Sequence, residues 1–152
     1  MRITRYTDYS LRVLIYLGAK GEGLATIQEI ADRYRISRNH LMKVVHELQL
    51  KGYIDTLRGK NGGMRLRLPP ERISLGRVVR DTEQDLALVE CFGTDNHCII
   101  TPYCELKSIL NEALGAFLGV LDRYTLADLL DPRVRSGLQR TLGLEVSERA
   151  FS

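Results

Sequence analysis

The sequence predicts a mainly α fold with a small β-hairpin wing: a winged helix-turn-helix followed by a long C-terminal dimerisation helix. Three observations predict it. Two helix patterns meet at a short connection around Arg35-Ile36, a Gly-rich basic turn at 58–63 divides two short alternating segments, and an apolar stripe at helical spacing runs from Leu106 to Leu121.

The helix-turn-helix is built from local signals. Thr7 to Gly18 reads as a first helix, with Leu11, Leu14 and Ile15 as its apolar stripe and Gly18 as a C-terminal stop. Thr26-Ile27-Gln28-Glu29 is a capping box, in which the Thr26 hydroxyl accepts from the Glu29 N–H and the Glu29 side chain reaches back. The helix it starts places Ile27, Ile30, Ala31 and Tyr34 on one face. Ser37 then caps a longer helix, buried through Leu41, Val44, Val45 and Leu48 and ended by Gly52. Tyr53 to Leu57 reads as a strand, Arg58 to Gly63 as the turn, and Met64, Leu66 and Leu68 alternate with Arg65 and Arg67 in a second strand. Pro69-Pro70 closes the unit.

Beyond it, Ile73 to about Glu90 reads as helical in part, from near Ser74, and Cys91 to Thr101 as a loop. Thr101-Pro102 pairs an N-cap with a proline at the first helical position, which predicts a helix carrying Cys104 in its first turn. Leu106, Ile109, Leu110, Ala113, Leu114, Phe117, Leu118 and Leu121 follow at helical spacing. So long an apolar stripe in so small a chain is expected to pack against a second copy of itself, giving a homodimer. Thr125 to Leu130 reads as a short helix or turn, and Thr141 to Ser152 as a fraying end. The expected organisation is a DNA-binding domain over 1–80, a cysteine loop and dimerisation helix over 81–130, and a tail over 131–152.

Composition narrows the function. The 152 residues are 44% hydrophobic and 27% charged, an ordinary globular balance. No apolar run approaches the roughly 18 residues of a membrane span, and the start lacks the apolar stretch of a signal peptide. A cytoplasmic, bacterial protein with no membrane association is expected. The net charge of +3 conceals an asymmetry: residues 1–80 carry 16 Lys+Arg against 7 Asp+Glu, residues 81–152 carry 6 against 12. The basic half suits double-stranded DNA, whereas the acidic half would be repelled by phosphates. There is no phosphate-cradling Gly loop ahead of a helix, no His-Glu-x-x-His and no nucleophile–base pair, so no enzyme is expected.

A recognition helix presents its N-terminal side chains to base edges in the major groove. Here these are Ser37, Arg38, Asn39, His40 and, a turn later, Lys43. Arg38 and Asn39 carry the side-chain types that bond guanine and adenine bidentately. Arg58 and Lys60 at the wing tip suit a narrow minor groove. Arg5, Arg33 and Lys51 are expected phosphate contacts, which add affinity and salt dependence rather than sequence choice.

Cys91, Cys98 and Cys104 are the only cysteines and lie within fourteen residues. In a reducing cytoplasm, clustered thiols point to metal or redox chemistry rather than structural disulfides. The Cys-x6-Cys-x5-Cys spacing is looser than that of structural zinc sites and suits the larger core of an iron–sulfur cluster. Zinc held by Cys91, His97, Cys98 and Cys104 competes but needs adjacent ligands. A metal-free thiol switch and inert free cysteines compete as well.

The segment Tyr-Thr-Asp-Tyr-Ser-Leu-Arg (6–12), the wing Arg-Gly-x-x-Gly-Gly (58–63) and three cysteines ahead of a long helix resemble the IscR/NsrR family of bacterial regulators, over residues 1 to about 130. The resemblance implies a homodimeric repressor binding pseudo-palindromic operator DNA. It implies a [4Fe-4S] or [2Fe-2S] cluster held by Cys91, Cys98 and Cys104, with Asp8 of the partner subunit as fourth ligand. No His follows Cys104 closely, which favours the family's nitric-oxide-sensing branch, where nitrosylation releases the DNA, over the branch that reports cluster supply. On residues alone, Asp8 is an acid complementing a helix N-terminus.

Overall fold

The computed structural model describes residues 1–144. The stretch 145–152, part of the expected fraying end, lies outside the described residues. Helix α1 (Arg5–Lys20) begins ahead of the expected Thr7, because the Thr4 hydroxyl accepts from the Thr7 N–H at 3.3 Å and caps the helix. Thr4 also donates through its own N–H to Glu83, 2.6 Å away and far along the chain.

The capping box at Thr26 forms and starts α2 (Ile27–Tyr34). Arg35 ends it in the left-handed conformation (φ 55°, ψ 47°), which reverses the chain quickly enough for Ser37 to cap α3 (Arg38–Leu50). Strands β1 (Ile54–Leu57) and β2 (Gly63–Leu66) pair antiparallel, with Ile54 opposite Leu66 and Leu57 opposite Gly63. Tyr53 and Leu68, expected in the strands, fall outside them. Tyr53 instead ties the strand to its surroundings, its carbonyl accepting from Arg67 and its hydroxyl donating to Asp81. A mutual pair of hydrogen bonds between Ala25 and Met64 fastens the hairpin to the segment ahead of α2.

The expected partial helix after Ile73 is α4 (Leu75–Thr82), capped by Ser74. Residues 83–89 are not helical. The long helix is α5 (Glu105–Asp122). A 3-10 turn (Leu126–Leu130) leads into α6 (Pro132–Thr141), a helix not expected from the sequence. Asp131 caps α6 through the Arg133 N–H, with Pro132 at the first helical position, a start signal present in the sequence.

One core joins these parts. Val13, Leu14 and Tyr16 of α1 meet Ile30 of α2, Leu41, Val44 and Leu48 of α3, Ile54, Met64 and Val78. Leu126, Leu130 and Leu142 enter the same core from the C-terminal side. Arg135 donates to the Gly18 carbonyl and Gln139 to the Ala19 carbonyl, satisfying acceptors at the end of α1. The helix-turn-helix and the hairpin therefore rest on a base to which the C-terminal segment contributes. Truncating Leu14 or Leu126 in this core is expected to cost about 2–5 kcal/mol.

Helix α5 is different. Only Leu118 of its residues is buried, while Leu106, Ile109, Phe117 and Val120 are 57%, 59%, 41% and 45% exposed. The chain alone leaves most of this apolar stripe in water. Helix α4 meets α5 through the Arg80–Asp122 ion pair and the close approach of Gly76 to Asp122.

Candidate metal centre and nucleic-acid interface

The recognition-helix residues are positioned by the cap at Ser37, whose hydroxyl accepts from the His40 N–H at 3.4 Å. Ser37, Arg38, Asn39 and Lys43 are exposed along the start of α3. His40 is half-buried, its ring edge-on to Tyr9 of α1 with centroids 4.9 Å apart. It therefore joins α1 to α3 as well as bordering the exposed row.

Arg58 and Lys60 are exposed at the wing tip. The turn needs its glycines: Gly59 has φ +100°, and a Cβ at Gly62 would collide with the Leu57 carbonyl oxygen. Arg5 is exposed at the start of α1. Lys51 is exposed beyond α3 and lies 3.9 Å from Glu47, a loose pair that leaves it available to a phosphate. Arg33 is exposed on α2, with the backbone of Gly143 against its guanidinium.

On the opposite side of the sequence, the cysteine loop is held by short-range bonds. The Asn96 side chain accepts from the Cys98 N–H at 3.0 Å and donates to the Thr101 hydroxyl at 2.9 Å, and that hydroxyl donates to the Cys98 carbonyl at 2.8 Å. Thr101 thus pins the loop instead of capping the long helix. Thr101–Tyr103 form a separate 3-10 turn, and Cys104, expected in the first helical turn, stands at the N-cap of α5 with extended backbone (φ −91°, ψ 108°). Without its own N–H, Pro102 fits the start of the short turn, and the chain extends at Cys104 before the α-helix begins.

Cys91 and Cys104 line one open cleft of about 680 Å³, with Asp85, Phe92, Lys107 and Asn111. Cys98 is exposed on the loop and is not part of the lining. His97 is also exposed and pairs with Asp95 at 2.8 Å. Among the described residues, no three His, Cys, Asp or Glu side chains are gathered closely enough to hold a metal ion. The donor chemistry nevertheless fits an iron–sulfur group: the thiols are all free, two border a cleft of suitable size, and the third is exposed on the loop that connects them.

Asp8 does not meet these thiols within the chain. Its carboxylate is gripped by Arg12, Nε to Oδ1 at 3.1 Å and Nη2 to Oδ2 at 2.8 Å, and the guanidinium lies 5.6 Å above the Tyr9 ring. Sequence reasoning missed Arg12, Lys107 and Asp85. For Arg12 and Lys107 the signals were present, i+4 from Asp8 and i+3 from Cys104; Asp85 had none.

Residues 3–132 match the family model Rrf2, described as iron-dependent transcriptional regulator. The chain belongs to the Rrf2 family. Among curated Rrf2 relatives, it is 58% identical over 132 residues to the HTH-type transcriptional regulator NsrR of Bacillus licheniformis, covering 86% of this chain and 92% of that one. It is 53% identical over 147 residues to NsrR of Geobacillus kaustophilus, covering 94% and 100%. Similar solved structures include the oxidized form of Staphylococcus aureus CymR (TM-score 0.71, 30% identity, covering 86% and 97%) and T. potens IscR (TM-score 0.70, 25% identity, covering 88% of each). The winged-helix architecture is that of these Rrf2 regulators. No described helix is long and apolar enough to cross a membrane.

Proposed function

We propose that this Rrf2 regulator is a cytoplasmic, homodimeric repressor that binds operator DNA and senses nitric oxide through an iron–sulfur cluster. The observation that carries the reading is the placement of Cys91 and Cys104 on one cleft at the start of a helix whose apolar stripe is mostly exposed. Cys91, Cys98 and Cys104 would hold the cluster, with Asp8 of the partner subunit as the oxygen ligand. Bound there, the cluster would supply iron that reacts with nitric oxide.

The rest follows from the chain's own residues. The exposed face of α5 supports dimerisation, which brings one protomer's α1 within reach of the other's cleft. Within the chain Arg12 holds the Asp8 carboxylate that the cluster would take, and Tyr9 ties the same turn of α1 to His40. A change in what holds Asp8 is therefore passed to α3, where Arg38, Asn39 and Lys43 face the major groove while Arg58 and Lys60 face the minor groove. Arg5, Arg33 and Lys51 neutralise phosphates. Two recognition helices in a dimer read two half-sites, so rotating one against the other costs affinity.

The test is the visible absorption of protein purified without oxygen, followed through a nitric oxide titration with operator binding measured in parallel. A broad visible band that bleaches as the duplex is released is expected. Cluster loss by chelation that releases DNA while nitric oxide does not would instead assign the role of reporting cluster supply. A second reading, a metal-free thiol switch, draws support from Cys91 and Cys104 sharing one cleft. Colourless, folded protein whose DNA affinity changes on thiol oxidation alone would assign that role.

A further inference from the structure

The side of α5 that lines the cleft is polar except for Leu114. After the N-cap Cys104, Lys107, Ser108 and Asn111 share one face of the helix, separate from the exposed apolar stripe through Leu106, Ile109 and Phe117. Lys107 is half-buried there and, among the described residues, is the only cationic side chain lining the cleft. It forms no ion pair among the described residues, although Asp85 lines the same space. With no ion pair among the described residues, its ammonium is available to an anion bound in the cleft.

We propose that Lys107 is the charge partner of the anionic group bound between Cys91 and Cys104. The inference rests on the iron–sulfur reading. Three thiolates and a carboxylate give either cluster type a net negative charge, and reduction makes it more negative. A cation on the cleft wall stabilises the bound cluster over the empty thiols and favours the reduced form over the oxidised one. Lys107 is not a ligand. It acts through charge and through N–H donation toward sulfur, the kind of outer contact that tunes metal sites. Lys107 and Cys104 line the same cleft.

The experiment compares wild type, Lys107→Met, Lys107→Gln and Lys107→Arg, reconstituted with iron and sulfide without oxygen. The readouts are the rate of cluster loss to a ferrous chelator and the midpoint potential in a dye-mediated titration; circular dichroism confirms the fold. Met and Gln variants are expected to lose the cluster about tenfold faster than wild type and to show a lower potential, with Arg restoring both. Wild type that holds a cluster, beside Met and Gln variants matching it in both readouts, would overturn the assignment of Lys107 alone. Folded wild type that takes up no iron and sulfide would overturn the iron–sulfur reading and the assignment with it.

Discussion

Arg12 holds Asp8 bidentately, one turn apart on α1, with side chains 42% and 39% exposed. In a half-exposed setting the pair contributes at most about 1 kcal/mol to folding, so it is weak enough to open. If Asp8 is the partner's cluster ligand, Arg12 and iron compete for the same carboxylate. Asp8→Ala is expected to lose the cluster to a chelator faster than wild type, and Arg12→Met more slowly, both with near-native melting temperatures. Equal acceleration in the two variants would show that Arg12 supports the site instead of competing with it.

Exposure separates the three thiols. Cys98 is exposed, whereas Cys91 and Cys104 are half-buried at the cleft. Limited alkylation of the apo protein, mapped by mass spectrometry, is expected to modify Cys98 first. Cys98→Ala is expected to bind operator much more weakly than wild type under cluster-loading conditions. Unchanged affinity in that variant removes the cluster from control of DNA binding.

The elements that the sequence announced most clearly were those decided within one or two turns. The Thr26 capping box, the Ser37 cap and the glycines at 59–63 each solve a local problem, and each appears where the residues put it. The left-handed Arg35 that makes the short connection possible carried no such signal, because a non-glycine residue in that conformation is imposed by its neighbours. Cys104 was displaced from the first turn of α5 for a related reason: Thr101-Pro102 satisfies the start of a 3-10 turn as well as that of an α-helix, and the loop's side-chain bonds decide between them. Helix α6 was missed although Asp131-Pro132 is a start signal, because its stability comes from docking on α1 rather than from its own pattern. The cysteines were legible as a group, but their division into two at the cleft and one exposed on the loop depends on the path of the loop.

The proposed DNA contacts divide by chemistry. Arg38→Ala at a base edge is expected to cost about 1–3 kcal/mol and to relax sequence preference at one position. Arg5→Ala or Lys51→Ala is expected to weaken binding to all duplexes alike and to reduce the log–log salt slope by about one. Binding measured on operator and scrambled duplexes across salt concentrations distinguishes the two effects. Loss of specificity in the Arg5 or Lys51 variant without a change in slope would place that residue at a base instead.

Three tyrosines make the fold sensitive to alkali. Burial raises the Tyr16 hydroxyl, reinforced by its hydrogen bond to Glu29, and raises Tyr53, reinforced by its bond to Asp81. Burial pushes Tyr34, which donates to the Arg12 carbonyl, up to about 12 despite the opposing Arg12 charge. Each folded tyrosine keeps its proton where the unfolded chain, with the ordinary value of 10.0, releases it. Between those values the native state binds more protons than the unfolded state, so stability falls as pH rises. The contribution is complete below the unfolded value and is lost as pH rises through the folded ones. The melting temperature is therefore expected to stay level with respect to these groups below about pH 9, and to fall steeply through pH 10–12. Tyr34→Phe and Tyr53→Phe, measured separately by circular dichroism, are each expected to make that decline shallower while lowering stability at neutral pH through the lost hydrogen bond. An unchanged slope in both variants would assign the alkaline loss to other groups.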